Sequence, residues 1–138
     1  MKIYRPNENT RFHVDYAWFE TQGVDVNVLI RKVLTPEQQE RLDENAEKVV
    51  FDYIDEATAM VHAENQVVHT IRTESAKDPA FISARTPVWE GAFRIFVLNG
   101  NQPLTALELS QLLKRKPTEI VNQLGGRVIY NGVRPIFD

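Results

Sequence analysis

The chain of 138 residues contains no cysteine. Disulfide frameworks, thiolate nucleophiles and cysteine-based zinc sites are therefore excluded. No run approaches the roughly 18 apolar residues needed to span a bilayer. The first ten residues, MKIYRPNENT, also lack the apolar core of a secretory signal. These absences predict a cytoplasmic protein that does not contact a membrane.

Motifs for catalysis and metal binding are also missing. No nucleophile motif of the G-x-S-x-G kind occurs. Gly125 and Gly126 precede a hairpin pattern rather than a helix start, so they are not a phosphate cradle. His62 and His69 lack the i, i+4 spacing of a helical zinc pair, and no cysteine completes a ligand shell. The sequence therefore predicts no enzyme, no metal site and no cofactor.

The charge that is present lies unevenly along the chain, whose net charge is −3. Residues 1–90 carry ten Lys or Arg and sixteen Asp or Glu, whereas residues 91–138 carry six and three. The first part therefore has a net charge of −6 and the second of +3. This asymmetry fits a nucleic-acid-facing module joined to an acidic segment. Chance variation in a short segment explains it equally well.

The sequence pattern of residues 1–86 predicts a mostly helical segment. Asp15 can cap a short helix that Gly23 ends. Asp25 begins a second candidate helix, in which apolar residues recur at i, i+3, i+4, i+7 and i+8, although its alternating valines also fit a strand. Thr35 and the proline after it are typical of a third helix start.

Residues 49–64 fit two structures. Their β-forming residues, with a turn at residues 55–58, indicate a hairpin. Their apolar residues also keep helical spacing, and no Gly or Pro interrupts residues 37–78, so one long dimerising helix is the alternative. The crowding of β-formers favours the hairpin. A further helix is predicted around residues 66–72.

Near the N-terminus, the densest aromatic cluster includes Trp18 and Phe19. We expect this cluster to anchor the N-terminal segment onto the core or onto a second subunit. The residues before it, 2–4 and 12–14, fit either short strands or an ordered arm.

The C-terminal third carries the clearest pattern. Thr105 and Glu108 form a capping box that predicts an amphipathic helix over residues 105–115. Pro117 cannot continue that helix but suits the first position of a new one. The paired glycines at Gly125 end this second helix after about eight residues.

A hairpin is predicted next. Asn131 and Gly132 separate two apolar-rich runs, residues 127–130 and 133–136. Asn-Gly favours a type I′ turn, because both positions need a positive φ. Pro135 lacks a ladder donor, so its strand should lie at a sheet edge.

This order of helix, turn, helix and hairpin resembles the winged helix-turn-helix family of DNA-binding domains. The matching runs are LTALEL at residues 104–109, KPTEIV at residues 116–121 and the hairpin, with residues 92–98 as the first helix. The resemblance implies an α+β, mainly helical fold, in which a winged helix at residues 87–138 follows the N-terminal segment, residues 1–86.

The resemblance also implies that the second helix enters the major groove of double-stranded DNA, and that the protein works as a homodimer. Basic residues at the turn would face phosphates, outward amides on the helix would read bases, and arginines on the wing would meet the backbone. The predicted DNA contacts are Lys114, Arg115, Lys116, Thr118, Asn122, Gln123, Arg127 and Arg134.

An alternative is a winged helix that binds a protein partner instead of DNA. The second helix is short, and Glu119 lies among residues that would approach phosphates. The acidic balance of the chain and the Trp18–Phe19 cluster favour the same alternative. In that case Trp18 and Phe19 would belong to the partner or dimer interface.

Overall fold

The computed structural model describes residues 5–137 and has an α+β fold. No helix in this described part is long and apolar enough to cross a membrane. In chain order, its strands and α-helices are β1 (Arg11–Val14), α1 (Tyr16–Gln22), α2 (Val26–Arg31), α3 (Pro36–Arg41), β2 (Val50–Ile54), β3 (Val61–Asn65), α4 (Gln66–Thr73), α5 (Val88–Leu98), β4 (Leu104–Thr105), α6 (Ala106–Leu113), α7 (Pro117–Leu124) and β5 (Val133–Pro135).

Contacts divide the chain into two compact units, here termed the terminal unit and the inserted unit. Of the described residues, 5–24 and 80–137 belong to the terminal unit and 25–79 to the inserted unit. This division differs from the predicted boundary at residue 86. The difference arises because β1 pairs with β4 and β5, which draws the N-terminal residues into the same unit as the C-terminal third.

The terminal unit contains a three-stranded antiparallel sheet in the order β4-β1-β5. In the central strand, Phe12 lies opposite Leu104 of β4 and Pro135 of β5. Phe12 and Val14 are buried while His13 between them is half-buried, which is the alternation expected of a strand with one buried face. Pro135 lies in an edge strand, as predicted, where its missing amide interrupts no ladder.

The first elements of the chain follow the predicted local signals. The strand option at residues 12–14 lies within β1, whereas residues 2–4 fall outside the described residues. Asp15 caps α1 by accepting a hydrogen bond from the Ala17 amide at 3.0 Å. Gly23 ends α1 with a left-handed φ of 66°.

Helices α6 and α7 also form where the sequence predicts them. The Thr105 hydroxyl accepts from the Glu108 amide at 3.1 Å, and the Glu108 carboxylate accepts from the Thr105 amide at 3.0 Å. Helix α6 ends at Leu113, earlier than predicted, because Lys114 adopts a left-handed φ of 55°. Pro117 is the first residue of α7.

The apolar sides of α5, α6 and α7 form the helical part of the core in the terminal unit. Helix α5 contains the predicted first helix and begins four residues before it. The large side chains buried on these three helices include Phe93, Phe96, Leu109, Leu113, Ile120 and Leu124.

The predicted wing is wrong. Residues 127–130 form no strand, and only an isolated bridge joins Tyr130 to Val133. The turn itself is present, because Asn131 and Gly132 have φ values of 51° and 73°. Strand β5 pairs along its length with β1 instead. Strand β1 offers β5 buried apolar side chains, whereas residues 127–130 are mostly exposed and would gain little burial from pairing.

The inserted unit contains α2, α3, α4 and the antiparallel hairpin β2–β3. The hairpin confirms the favoured interpretation of residues 49–64. One of its faces contacts α4: the Phe51 and His69 rings stack with centroids 4.3 Å apart. The Arg72 guanidinium lies 3.8 Å from the centroid of the Tyr53 ring. These contacts half-bury Phe51 and Tyr53 and so support the hairpin, because two strands alone are only marginally stable.

We expect Gly132→Ala to destabilise the protein more than Gly100→Ala. Both glycines have a left-handed φ, 73° and 71°, which costs an L side chain about 1–2 kcal/mol. A Cβ at Gly132 would also lie 2.5 Å from Cε2 of the buried Phe19 ring, whereas nothing lies within 4 Å at Gly100. Overpacking typically adds about 1–3 kcal/mol. Urea unfolding measures both losses, and equal losses would contradict the packing of Phe19 on this turn.

Stability should fall as the pH drops below neutrality, through His13. Burial lowers the pKa of His13 below its ordinary value of 6.5. The negative charge of Asp15 opposes this shift, and the positive charge of Arg134 adds to it. The unfolded chain therefore binds more protons, and the stability present above pH 6.5 is lost as the pH falls towards the folded pKa. His13→Gln should flatten this loss in urea titrations, whereas the control His62→Gln, at an exposed histidine, should retain it.

Candidate nucleic-acid interface

Two exposed lysines flank the turn between α6 and α7. Lys114 ends α6, and Lys116 occupies the N-cap position of α7. Both residues are exposed, and neither has an ion-pair partner among residues 5–137. Their ammonium groups are therefore available to a polyanion.

Arg115, which lies between these lysines, is engaged within the protein. Its Nη2 donates to the carbonyl oxygens of Ala84 at 2.9 Å and Thr86 at 3.1 Å. Its Nη1 donates to Oε1 of Glu119 at 2.7 Å. The guanidinium therefore ties the segment before α5 to α7. The same ion pair compensates Glu119, the carboxylate that would otherwise repel a phosphate.

The outer face of α7 is polar. Thr118, Asn122 and Gln123 are exposed, while Ile120 and Leu124 are buried, as the apolar spacing predicts. Each carboxamide offers two donor hydrogens and an acceptor oxygen. The Gln123 carboxamide donates one weak hydrogen bond within α7, from Nε2 to Oε1 of Glu119 at 3.4 Å. The face is thus equipped to make new hydrogen bonds.

The two arginines assigned to a wing lie in different settings. Arg134 is in β5, where its Nη1 lies 3.4 Å from Oδ2 of Asp15. Arg127 is exposed in the segment that follows α7. Because residues 127–130 form no strand, the two arginines do not share a β-ribbon. Arg127 remains beside the outer face of α7, and Arg134 belongs to the sheet.

The Trp18–Phe19 cluster packs within the terminal unit. Phe19 is buried and approaches the turn at Gly132, and the Trp18 ring meets it edge-on with centroids 5.1 Å apart. Of the two predicted roles, anchoring onto the core therefore applies to Phe19. Its burial removes it from any intermolecular surface, and Trp18 remains partly exposed.

An open pocket of about 460 Å³ adjoins α7, within the size range of roughly 300–1,000 Å³ found for small-molecule sites. On one wall, the rings of Trp89 and Tyr130 stack with centroids 5.7 Å apart and an interplanar angle of 22°. Three of the predicted DNA contacts, Asn122, Gln123 and Arg127, line the pocket beside these rings. Its lining comprises Pro87, Trp89, Asn122, Gln123, Gly126, Arg127, Val128 and Tyr130.

Sequence reasoning missed both aromatic residues of this pocket. A signal for Trp89 was present, because it lies off the buried stripe of α5 that begins at Val88 and continues at Ala92. No local pattern could have paired it with Tyr130, which follows α7 in an irregular segment. The predicted contacts Lys114 and Lys116 do not line the pocket but flank the other end of the same helix.

Of the histidines considered for metal binding, His62 is exposed and His69 takes part in other contacts. His69 Nδ1 lies 3.1 Å from Oε2 of Glu64, whose buried carboxylate also accepts from Arg72 Nε at 2.9 Å. Within residues 5–137, no group of three or more metal-ligating side chains gathers. The Glu64 carboxylate instead links β3 to α4.

Arg115→Lys should destabilise the protein by about 1–3 kcal/mol. A lysine ammonium cannot reproduce the forked donation to two carbonyls and a carboxylate, and hydrogen bonds of charged groups contribute on this scale. Urea unfolding measures the loss. Lys116→Gln is the matched control at an exposed neighbour, for which a change within about 0.5 kcal/mol is expected. An unchanged midpoint for Arg115→Lys would show that its guanidinium is not a structural tie.

Comparison with protein-family models, curated proteins and solved structures finds no match to this chain. The resemblance to winged helix-turn-helix domains therefore stays a prediction: helices α5, α6 and α7 follow the expected order, whereas the hairpin that was part of the resemblance is absent at residues 127–136.

Proposed function

We propose that the protein binds double-stranded DNA through α7 and the turn before it. The observation that carries this proposal is the exposed side of α7, where Thr118, Asn122 and Gln123 follow the exposed Lys114 and Lys116. Cations at a helix start and amides along its outer face are the groups that contact phosphates and base edges, respectively.

The length of α7 is compatible with this role. Its eight residues span about 12 Å, and an α-helix with its side chains is about 10–12 Å across, which fits a major groove about 12 Å wide. A helix of this length lying in the groove can present one or two amide side chains to base edges. Asn122 and Gln123 are the side chains suited to pairing with adenine.

Electrostatics support the same surface. The terminal unit's sequence, residues 1–24 and 80–138, carries ten Lys or Arg and seven Asp or Glu, hence +3. The inserted unit carries six and twelve, hence −6. The sign asymmetry therefore follows the structural division. With Glu119 compensated by Arg115, the lysines at the turn form a local cationic site that attracts phosphates.

A second candidate is binding to a protein partner. Two leucines of α6, Leu107 and Leu112, are 39% and 55% exposed. Apolar side chains of this kind on a helix fit a helix-mediated protein contact. A homodimer that pairs two DNA half-sites is proposed on the same grounds as DNA binding, and light scattering of the full chain would measure its mass.

Replacing Lys114 and Lys116 together by Gln should weaken binding to a short random-sequence duplex. The slope of log K against log salt, which is negative, should become shallower by about 2. Each lost phosphate contact removes about one released counterion. Fluorescence anisotropy between about 50 and 200 mM salt measures this change.

The matched control is Lys32→Gln with Lys77→Gln, which removes the same charge from exposed positions of the inserted unit. This control should bind duplex as the parent protein does. Equal effects of the two pairs would assign the binding to net charge alone, and absence of duplex binding at low salt would exclude the proposed function.

A further inference from the structure

The pocket lined by Trp89 and Tyr130, termed the Trp–Tyr pocket, has a composition that points to its ligand. The two rings of its aromatic wall stack on each other, so the faces between them are covered and the outer faces of the stack are left for a ligand. Tyr130 is 43% exposed, so this wall is open to an incoming ring. Flat aromatic ligands gain stacking energy on such a surface without dependence on their exact identity.

Hydrogen-bonding groups line the same pocket. The Asn122 carboxamide has no internal partner among the described residues, and the Gln123 carboxamide has one weak one. A ligand with both donors and acceptors along its edge would satisfy them. An aromatic hydrocarbon or a fatty chain would leave these groups without partners, so the lining favours a heterocycle.

The charge in the lining is positive. Arg127 is exposed, and within residues 5–137 it has no ion-pair partner. Among residues 5–137, no acidic side chain lines the pocket. Stacking rings, carboxamides and a guanidinium together match the parts of a nucleotide: the rings would contact its base, the carboxamides its base edge and the guanidinium its phosphate.

We propose that the Trp–Tyr pocket binds an unpaired nucleobase of a DNA strand. A paired base inside a duplex has both faces covered by its neighbours and its pairing edge occupied. An unpaired base exposes a face to the rings and an edge to the amides. This inference rests on the proposed function, because the pocket adjoins α7: Lys114 and Lys116 before the start of the helix would hold the duplex, while Asn122 and Gln123 at its end would contact the unpaired base in place of a paired one. The preferred DNA is therefore a duplex with a single-stranded end.

Fluorescence anisotropy with the full chain tests this inference on two labelled probes, a blunt duplex and the same duplex with a single-stranded overhang. The overhang probe should bind at least about fivefold more tightly, the lower end of the range for one stacked base. Tyr130→Ala should remove this preference and leave blunt-duplex binding unchanged. Arg127→Ala, in a segment without helix or strand, should also reduce the preference.

The matched control is Tyr16→Ala. Tyr16 is 45% exposed, close to the 43% of Tyr130, but does not line the pocket. This variant should keep the overhang preference. A loss of preference in both tyrosine variants would show a general effect on stability or surface and would overturn the assignment.

Tryptophan fluorescence gives an independent readout. The chain has two tryptophans, so Trp18→Phe leaves Trp89 as the sole reporter. The overhang probe should quench it and the blunt duplex should not. Quenching by a proline-rich peptide but not by DNA would overturn the inference. Binding of deoxyadenosine monophosphate as tight as that of the overhang would assign the pocket to a free nucleotide and overturn the role of the strand.

The failure of this inference can be distinguished from the failure of the proposed function. If neither the blunt nor the overhang probe binds at low salt, the proposed function fails and the inference fails with it. If the blunt duplex binds, but the overhang adds no affinity and Tyr130→Ala changes nothing, only the assignment of the Trp–Tyr pocket is wrong.

Discussion

The terminal unit depends on the hydrogen bonds that hold β1 between two strands from the far end of the chain. Strand β1 pairs with β4 on one side and β5 on the other. The Asn101 carboxamide continues this pairing, since it accepts from the Val14 amide and donates to the Val14 carbonyl, both at 2.8 Å. Beyond the other end of β1, the carbonyl oxygens of Thr10 and Glu8 accept from the Ala106 and Leu107 amides, the first donors of α6. The start of α6 is thereby fixed, and α6 in turn positions the turn that carries the exposed lysines.

Local chemistry made many elements predictable. The capping boxes at Thr105 and Thr35 form as the sequence indicates, and Asp25 caps α2. Each of these signals involves residues within one helical turn, whose geometry the chain itself dictates. The hairpin β2–β3 and the exposed side of α7 were predictable for the same reason, since alternation and helical spacing can be read from neighbouring residues. Lys116 and Asn122 could accordingly be identified as exposed before any coordinates.

Long-range pairing explains what the sequence could not reveal. Asn131 and Gly132 indicated a turn correctly, but the strand that pairs with β5 is β1 rather than the neighbouring residues 127–130. Which strands pair depends on how much apolar surface each pairing buries, and the sequence near a strand does not reveal this. The same limit applies to the Trp89–Tyr130 stack and to the internal role of Arg115. In both cases the chemistry depends on a residue or carbonyl that is distant in sequence.

The central position of β1 also has a consequence for biosynthesis. Val14 and Asn101 are separated by 87 positions, and the inserted unit lies between them. At about 5–20 residues per second, a ribosome needs roughly 4–17 s to reach Asn101 after it has made Val14, and the partner strands β4 and β5 follow later still. The inserted unit is complete during that interval and has all its own pairing partners. The nascent chain therefore has an order of assembly built into it: the acidic unit can fold first, while β1 of the basic unit remains without its partners until residues 104–135 have been made.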